Sequence, residues 1–599
     1  MIYHCEDHTC NYWDEGEKLP ERCPQCGRKL LRANEADMTG DDWTALGNTL
    51  WDAEASDKKR MVDCFRKAAY LGSAWGVCNL GICMEQGNGV EADPVQAFWL
   101  YQQAVEMGSL NAVCCLGVCY QYGIGTAPDA KQAAELYCKA AEYGSPRGQM
   151  LLARAFHDGI GVEADAAEAV YWVRAAAYQR YGEGMHRLGV CYEYGDGVEQ
   201  NWERAVHWFR EAAESGVGVA MTDLGYCYEK GCGVEQSWEQ AFSWYRRGAE
   251  CGDPVSMCNL GYCYEKGCGV EQNWQEAIKW YEQGAQCGDL QSMNNLAYCY
   301  ERGEGVEQNE DRAFYWYRRS AEGGNGSAMC NLGRCYKRGY GVEQNWQEAV
   351  KWYEQGAQCG NLQSMHNLAC CYEHGEGVEQ NMTEAIRWYT AAAEGGNADD
   401  MYELGWQYDH GEGVEQDMKK AICWYERAAE QNHPAAMNSL GECYAMGRGV
   451  PRDLETAMEW YRRAAELGEA MADYNMGWHL EQAGKLSEAY THYRKAADGN
   501  DDSAWWALGR FYENGVVVAQ DGKEARRCYE TGEKLGSVKC KMRLARCKLL
   551  GIGGRRAKKA GLDLCRQALE LAKESSEKED YGYEAEMNLL RRTIAENES

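Results

Sequence analysis

Residues 257–288 read MCNLGYCYEKGCGVEQNWQEAIKWYEQGAQCG. Leu260, Gly261 and Tyr264 follow an i, i+1, i+4 pattern, which predicts one face of a helix. The Gly267-Cys268-Gly269 segment ends that helix, because glycine readily adopts left-handed backbone angles. A second stripe at helical spacing predicts a return helix and consists of Ala277, Trp280, Tyr281 and Ala285. The stretch therefore predicts a helical hairpin.

The small residues of this hairpin predict how its helices pack. Gly261 and Ala277 leave room for the two helices to approach closely. Trp280 and Tyr281 are expected to fill the space toward the next hairpin along the chain. One hairpin cannot bury both of its faces, so stacked neighbours must complete the core.

The hairpin pattern repeats along the chain. Its leucine recurs every 36 residues from Leu80 to Leu440, with Leu46 34 residues earlier. Met476, Leu508 and Leu544 continue the series after steps of 36, 32 and 36 residues. A fixed period in this range indicates a repeat array, and it predicts an all-α solenoid of about fourteen two-helix repeats.

The pattern Leu-Gly-x-x-Tyr, Gly-x-Gly-Val, Ala-x-x-Trp-Tyr and a closing glycine resembles the Sel-1-like repeat family, a relative of the tetratricopeptide repeats. The resemblance covers roughly residues 40 to 575. It implies a right-handed superhelix of helical hairpins that assembles protein complexes and is not an enzyme. The residues that carry it are Leu260, Gly261, Tyr264, Gly267, Gly269, Val270, Ala277, Trp280, Tyr281 and Gly288.

The charge of the chain restricts its partners. Lysine plus arginine numbers 62 and aspartate plus glutamate numbers 93, which gives a net charge of −31. Such a field repels phosphate backbones and anionic lipids, so we expect neither nucleic acid nor membrane partners. The start of the sequence lacks the apolar run of a signal peptide, and the 31 cysteines are then expected to be reduced in a cytoplasmic protein.

Cysteines near the start of the sequence predict a metal site. Cys23 and Cys26 form a Cys-Pro-Gln-Cys knuckle, and Cys5 and Cys10 lie upstream. Four thiolates suit Zn²⁺, with iron possible, although His8 competes with Cys5 as first ligand. The segment resembles the rubredoxin-like ribbons of rubrerythrins. We therefore expect a small metal-bound ribbon at 1–33, the solenoid at 34–573 and a capping helix or tail at 574–599.

No motif indicates catalysis. The sequence has no Walker loop, no His-Glu-x-x-His and no Ser, His and Asp spacing that nominates a triad. A cysteine three residues after the repeat leucine, as at Cys263, is expected to pack in the core as a small apolar side chain. His374 and His410 are expected to face solvent, and a regular disulfide ladder is not expected.

Two nearly identical segments of the chain differ mainly on one predicted helix face. Residues 271–309 and 343–381 are almost identical, and five positions differ. Three of the differences follow an i, i+4, i+8 stripe on one predicted helix. In the related tetratricopeptide folds this helix lines the concave face on which peptides usually dock, so the stripe is interpreted as retuned for a ligand. The three exchanges are Asn294 to His366, Tyr298 to Cys370 and Arg302 to His374.

Two columns of the repeat predict a peptide groove. The residue two after the leucine is Tyr226, Tyr262, Tyr298 or Arg334 in the central repeats, and the residue six after it is Lys230, Lys266, Arg302 or Arg338. Stacking brings them together as an aromatic row beside a basic row, which suits an acidic peptide. The alternative is a solvated face on which Glu229, Glu265 and Glu301 pair with the bases.

These observations predict a non-catalytic protein–protein interaction scaffold or adaptor. The alternative function is a regulatory or accessory subunit of an enzyme complex, recruited through the ribbon at 1–33. The complete predicted groove consists of Tyr226, Lys230, Tyr262, Lys266, Asn294, Tyr298, Arg302, Arg334, Arg338, His366 and His374.

Overall fold

A computed structural model describes residues 2–5, 13–15, 30–33, 35, 38–51, 55–578 and 584–598. The chain divides into two compact units, Met1–Asn309 and Glu310–Ser599. Among the residues described, no helix is long and apolar enough to span a bilayer.

The first unit opens with three short strands, β1 (Ile2–Cys5), β2 (Trp13–Glu15) and β3 (Leu30–Ala33). They form an antiparallel sheet in the order β2-β1-β3, with Ile2 opposite both Glu15 and Ala33. Of the predicted metal ligands, Cys10, Cys23 and Cys26 lie outside the described residues, as do His8 and the side chain of Cys5. Zinc binding at this ribbon therefore stays a prediction.

The rest of the first unit is helical. Its helices are α1 (Gly40–Thr49), α2 (Ala55–Tyr70), α3 (Ala74–Gln86), α4 (Pro94–Glu106), α5 (Leu110–Tyr122), α6 (Ala130–Glu142), α7 (Pro146–Asp158), α8 (Ala166–Tyr178), α9 (Gly182–Tyr194), α10 (Trp202–Glu214), α11 (Gly218–Lys230), α12 (Trp238–Glu250), α13 (Pro254–Lys266), α14 (Trp274–Gln286) and α15 (Leu290–Arg302). Each odd-numbered first helix packs against the even-numbered second helix that follows it, from α1 and α2 to α13 and α14.

The second unit repeats this arrangement. Its helices are α16 (Glu310–Glu322), α17 (Gly326–Arg338), α18 (Trp346–Gln358), α19 (Leu362–His374), α20 (Met382–Glu394), α21 (Ala398–His410), α22 (Met418–Glu430), α23 (Pro434–Met446), α24 (Leu454–Glu466), α25 (Ala470–Gln482), α26 (Leu486–Asp498), α27 (Asp502–Asn514), α28 (Gly522–Lys534), α29 (Val538–Leu550), α30 (Lys558–Lys578) and α31 (Glu584–Glu598). The pairs run from α17 and α18 to α29 and α30, and α31 covers the end of the stack by packing on α29 and α30. Because α30 runs to Lys578, the predicted boundary at 573 falls inside a helix.

Local sequence explains where these helices start and stop. In the hairpin of α13 and α14, Asp253 caps α13 by accepting a hydrogen bond from the Ser256 N–H. Gly267 ends α13 with a φ of +73°, and its N–H bonds the Cys263 carbonyl. Asn273 then caps α14 by accepting hydrogen bonds from the backbone of Gln275 and Glu276. The same caps and left-handed glycines recur along both units, which confirms the predicted hairpins.

The second helix contributes a column of buried tyrosines, which pack within their own hairpin and against the next one. Tyr281 is fully buried against Gly261 of its own hairpin, where an added Cβ would lie 2.6 Å from the ring. The equivalent Tyr245 also packs in one core cluster with Leu260 and Cys263 of the next hairpin, in agreement with the prediction. Trp280 is half-buried and packs on a cluster that includes Tyr245 of the preceding hairpin. The tyrosine column comprises Tyr101, Tyr137, Tyr245, Tyr281, Tyr317, Tyr353, Tyr389, Tyr425, Tyr461, Tyr493 and Tyr529.

The cysteine column lies in the core, as predicted. Its members are Cys83, Cys119, Cys191, Cys227, Cys263, Cys299, Cys335, Cys371, Cys443 and Cys547, and all are buried. None of the cysteines whose side chains the structure describes forms a disulfide, so the described repeats are held together by packing.

Candidate binding groove and anchor pocket

The predicted aromatic and basic rows lie on consecutive first helices of the first unit. Tyr226 and Lys230 are on α11, Tyr262 and Lys266 on α13, and Tyr298 and Arg302 on α15. Helix α13 packs against both α11 and α15. The side chains of Tyr226 and Tyr262 are 43% and 41% exposed, which leaves two neighbouring rings open to a ligand.

The two rows interleave. The Lys230 ammonium lies 5.8 Å from the centroid of the Tyr226 ring, and the Arg302 guanidinium lies 5.4 Å from that of Tyr298. A hydrogen bond to Glu229 raises the pKa of Lys230, and Tyr226 and Tyr262 both raise it further. Lys230 is therefore close to the tyrosine of its own helix and to that of the next.

The glutamates that pair with these bases also accept hydrogen bonds from buried tyrosines of the core. Lys230 and Lys266 each lie 2.7 Å from a carboxylate oxygen of the preceding residue, Glu229 and Glu265 respectively. The other oxygen of Glu265 accepts the Tyr281 hydroxyl at 2.8 Å. The pairs that the solvated-face alternative proposed are thus present at these two lysines, and each lysine is still 50% exposed and able to donate to a ligand.

The remaining predicted groove residues are placed differently. Asn294 is buried within α15. Arg334 and Arg338 on α17, and His366 and His374 on α19, belong to the second unit. His374 is exposed, and its Nδ1 lies 3.0 Å from the Cys370 carbonyl of its own helix. His410 makes the matching contact, 2.9 Å from the Trp406 carbonyl. The continuous rows are those on α11, α13 and α15.

A pocket that the sequence reading missed lies between α7, α8 and α9. Its volume is about 480 Å³, within the range of small-ligand sites. It opens where the tyrosine column is interrupted, because Val173 stands in place of a tyrosine and Ala153 in place of the glycine that faces the ring in most repeats. The missing ring leaves the space empty.

The pocket is lined by charged side chains. Arg147, Arg154 and Arg187 supply three guanidinium groups, beside His157 and the carboxylates of Asp158, Asp196 and Glu183. His157 bridges the two aspartates, with ring nitrogens 2.7 Å from Asp158 and 3.2 Å from Asp196. That hydrogen bond to His157 is the main cause that lowers the pKa of Asp158.

Arg147 differs from the other two arginines. Arg154 lies 3.4 Å from Asp158, and Arg187 lies 3.8 Å from Asp196. Arg147 instead donates to the Asn111 side chain at 2.7 Å and to the Cys115 sulfur at 3.6 Å. Among the described residues it forms no ion pair with a carboxylate, so its charge is available to an incoming anion.

The sequence does contain the pattern that marks this pocket. Most repeats place an acid or amide five residues after the leucine and a tyrosine on the second helix, and the hydroxyl bonds that side chain, as at Tyr101 and Glu85. The repeat of Leu152 has His157 and Val173 at these two positions. The simultaneous loss of the usual residue at both positions of one repeat is the sequence signal that could have indicated the pocket. No cluster of side chains suited to a metal occurs among the described residues.

The period and the hairpins agree with comparisons to known proteins. Sel1 repeats match thirteen consecutive segments that together cover more than half of the chain. The chain belongs to the Sel1 repeat family. Proteins of this family are typically protein-interaction scaffolds. The matched segments are 76–109, 112–145, 146–181, 182–217, 218–253, 254–289, 290–325, 326–361, 362–397, 398–433, 434–469, 470–501 and 504–537.

Solved Sel1 repeat structures are similar to this chain. The crystal structure of c5321, a protective antigen of uropathogenic Escherichia coli strains with an SLR fold, is 32% identical, with 75% of this chain and 97% of that chain covered and a TM-score of 0.50. A Sel1 repeat protein from Oxalobacter formigenes is 33% identical over 41% of this chain and 96% of its own, with a TM-score of 0.38. Among curated proteins, no sequence matches the chain.

Proposed function

We propose that this Sel1 repeat protein is an interaction scaffold whose first unit binds an acidic segment of a partner protein. The observation that carries the proposal is the pocket at Val173, which presents Arg147 without a carboxylate partner. A guanidinium binds a carboxylate through two parallel hydrogen bonds, so an aspartate or glutamate of the partner is the natural occupant.

Helix α9 connects this pocket to the rows of the groove. Arg187 and Cys191 of α9 line the pocket, and Tyr194 at the end of the same helix is 73% exposed. His186 of α9 lies 2.7 Å from Asp223 of α11, which fixes the two first helices side by side. A peptide with one carboxylate in the pocket can therefore continue over α9 and α11 toward Tyr226 and Tyr262.

The division of roles follows from the chemistry of the two regions. The arginines of the pocket select a carboxylate and set the register of the peptide. The exposed tyrosines supply apolar contact area with few rotatable bonds, which favours them as anchors. In a chain of net charge −31 the long-range field repels an acidic partner, so binding depends on these local cations.

The pocket can be closed by restoring the repeat pattern. The triple variant Ala153→Gly, His157→Glu, Val173→Tyr places a ring against a glycine and a hydroxyl beside a carboxylate, as in Tyr101 and Glu85. We expect this variant to be at least as stable as the parent chain and to lose the pocket. Loss of binding in a well-folded variant then points to the pocket and excludes unfolding as the cause.

The probe is a fluorescein-labelled peptide rich in glutamate with two phenylalanines, followed by fluorescence anisotropy. We expect Arg147→Ala and the triple variant each to weaken binding by about tenfold or more. Arg246→Ala is the matched control, because this exposed arginine of α12 pairs with Glu250 away from the pocket. Equal affinity of the parent chain, Arg147→Ala and the triple variant would show that the pocket does not bind the acidic segment.

A further inference from the structure

In the second unit the Cys370 thiol contacts the His366 imidazole, which in turn contacts the Asp400 carboxylate. His366 and Cys370 are one turn apart on α19, and the His366 Nε2 lies 3.6 Å from the Cys370 sulfur. On the other side of the ring, Nδ1 lies 2.8 Å from Oδ1 of Asp400 on α21. The imidazole therefore joins a half-buried thiol to a fully buried carboxylate.

The carboxylate fixes the state of the imidazole. Asp400 is completely buried, and its Oδ2 has no hydrogen-bond partner, so His366 is the group that compensates its charge. Burial raises the pKa of Asp400, and the hydrogen bond from His366 opposes that rise. The hydrogen bonds to Asp400 and then to Cys370 raise the pKa of His366 to about 10. In its protonated form the ring carries an N–H on each nitrogen and can donate to both groups.

The hydrogen-bond directions then follow. The Nδ1–H donates to Asp400, and the Nε2–H donates to the Cys370 sulfur. The Tyr389 hydroxyl lies 3.3 Å from the same sulfur and donates to Glu373 at 2.7 Å. A cationic N–H aimed at a sulfur stabilises negative charge on it, and this is the usual way in which proteins activate a cysteine nucleophile.

The internal duplication allows the Cys370 cluster to be compared with a nearly identical segment that lacks it. His366 and Cys370 are two of the five positions at which residues 343–381 differ from residues 271–309, where the chain has Asn294 and Tyr298. The position that corresponds to Asp400 by the same offset is Ala328. The thiol and the imidazole are thus present in one copy and absent from the other, and the carboxylate, which lies beyond the duplicated segment, is absent at the equivalent position.

We propose that Cys370 is a reactive nucleophile that is modified by small α,β-unsaturated carbonyl compounds, with His366 as its acid and Asp400 as the group that positions His366. The thiolate sulfur attacks the β-carbon, the S–C bond forms and the C=C π bond breaks. The resulting enolate takes the Nε2 proton of His366 at its α-carbon. The electron pair of the new S–C bond comes from the thiolate and the proton on the α-carbon comes from His366, which regains a proton from water and leaves hydroxide.

The test measures the reaction of each cysteine of the full chain with N-ethylmaleimide at pH 6.5, by quenching at set times and peptide mass spectrometry. Cys359 is the internal standard, because it is more exposed than Cys370 and has no imidazole contact. An ordinary thiol is only about 1% thiolate at this pH. We expect Cys370 to react about tenfold faster than Cys359 in spite of its lower exposure.

The matched variant is His366→Asn, Asp400→Ala, which carries the residues of the equivalent positions, Asn294 and Ala328, and leaves no unpaired buried charge. We expect the Cys370 rate in this variant to fall to that of Cys359 or below, with the Cys359 rate unchanged. The proposal is overturned if Cys370 reacts no faster than Cys359 in the parent chain, or if its rate is the same in the variant.

Discussion

The hydroxyl of Tyr281 donates a hydrogen bond to the Oε2 atom of Glu265 at 2.8 Å, across the hairpin of α13 and α14. The Oε1 atom of the same carboxylate lies 2.7 Å from the Lys266 ammonium on the exposed face. One carboxylate therefore connects the buried tyrosine column to the basic row of the groove. The same bond recurs at Tyr245 with Glu229, Tyr389 with Glu373, Tyr493 with Glu481 and Tyr529 with Glu513.

Removal of this hydroxyl is expected to destabilise the hairpin. Tyr281→Phe keeps the ring and leaves a buried carboxylate oxygen without its donor, at a cost of about 1–2 kcal/mol in the free energy of unfolding. Tyr461→Phe is the control, because Ala445 stands at the acid position of that repeat and no hydrogen bond of the Tyr461 hydroxyl occurs among the described residues. Urea unfolding of both variants tests the contribution. Equal losses would contradict it.

The contact between Gly261 and the Tyr281 ring predicts that larger side chains at position 261 destabilise the fold more. An added Cβ would lie 2.6 Å from the Tyr281 ring, so the ring must shift. Ala369 holds the equivalent position beside Tyr389 and both are buried, which shows that alanine can be accommodated. We expect Gly261→Ala to cost less than about 1 kcal/mol and Gly261→Val about 1–3 kcal/mol. Equal melting temperatures for the parent chain and Gly261→Val would contradict the close contact.

The contact between His366 and Asp400 predicts a pH dependence of stability. The pKa of His366 is about 10 in the folded chain and 6.5 in its ordinary state, so its contribution is complete below pH 6.5 and is lost as the pH rises through 10. Urea midpoints should therefore differ most between the parent chain and His366→Asn, Asp400→Ala near pH 6.5. Glu373, Glu403 and Asp399 also face the cluster and are present in both proteins. A constant difference from pH 6.5 to 10 would contradict the assignment.

Asp501 predicts the same direction of pH dependence, which is the reverse of the usual case for a carboxyl group. It caps α27 by accepting from the Ala504 N–H at 2.7 Å, and burial raises its pKa to about 6. Between pH 3.8 and 6 the folded state then holds more protons than the unfolded state, so stability falls as the pH rises through this range. Asparagine is an equally good cap without the charge. Asp501→Asn should gain stability relative to the parent chain at pH 7 and not at pH 4, as measured by thermal unfolding.

Metal removal tests the ribbon predicted at 1–33. We expect about one zinc per chain by elemental analysis, with Cys5, Cys10, Cys23 and Cys26 protected from iodoacetamide until a chelator is added. Cys263 serves as the control, because it is buried in the core and should stay protected in both conditions. Alkylation of Cys5 alone before chelation would point to His8 as the fourth ligand. Alkylation of all four thiols before chelation would exclude the site. An iron-bound site would be distinguished from a zinc site by its visible absorption.

The sequence by itself determined the repeat and its hairpins. Capping residues such as Asn273, left-handed glycines such as Gly267 and the spacing of apolar residues act within one repeat, so their consequences can be read locally. The burial of Cys263 and its equivalents also followed from period alone. The rows at Tyr226 and Tyr262 were predictable for the same reason, since equivalent positions of stacked repeats become neighbours.

Only the tertiary structure decided what happens where the pattern is broken. The pocket exists because Val173 leaves the space of a ring empty between three helices, and a volume of this kind is a property of packing. Asp400 reaches His366 from 34 residues away, and the Tyr281 ring packs against Gly261. These contacts depend on how each helix is rotated against its neighbours. Side-chain packing over the whole stack sets that rotation, and no single repeat contains it.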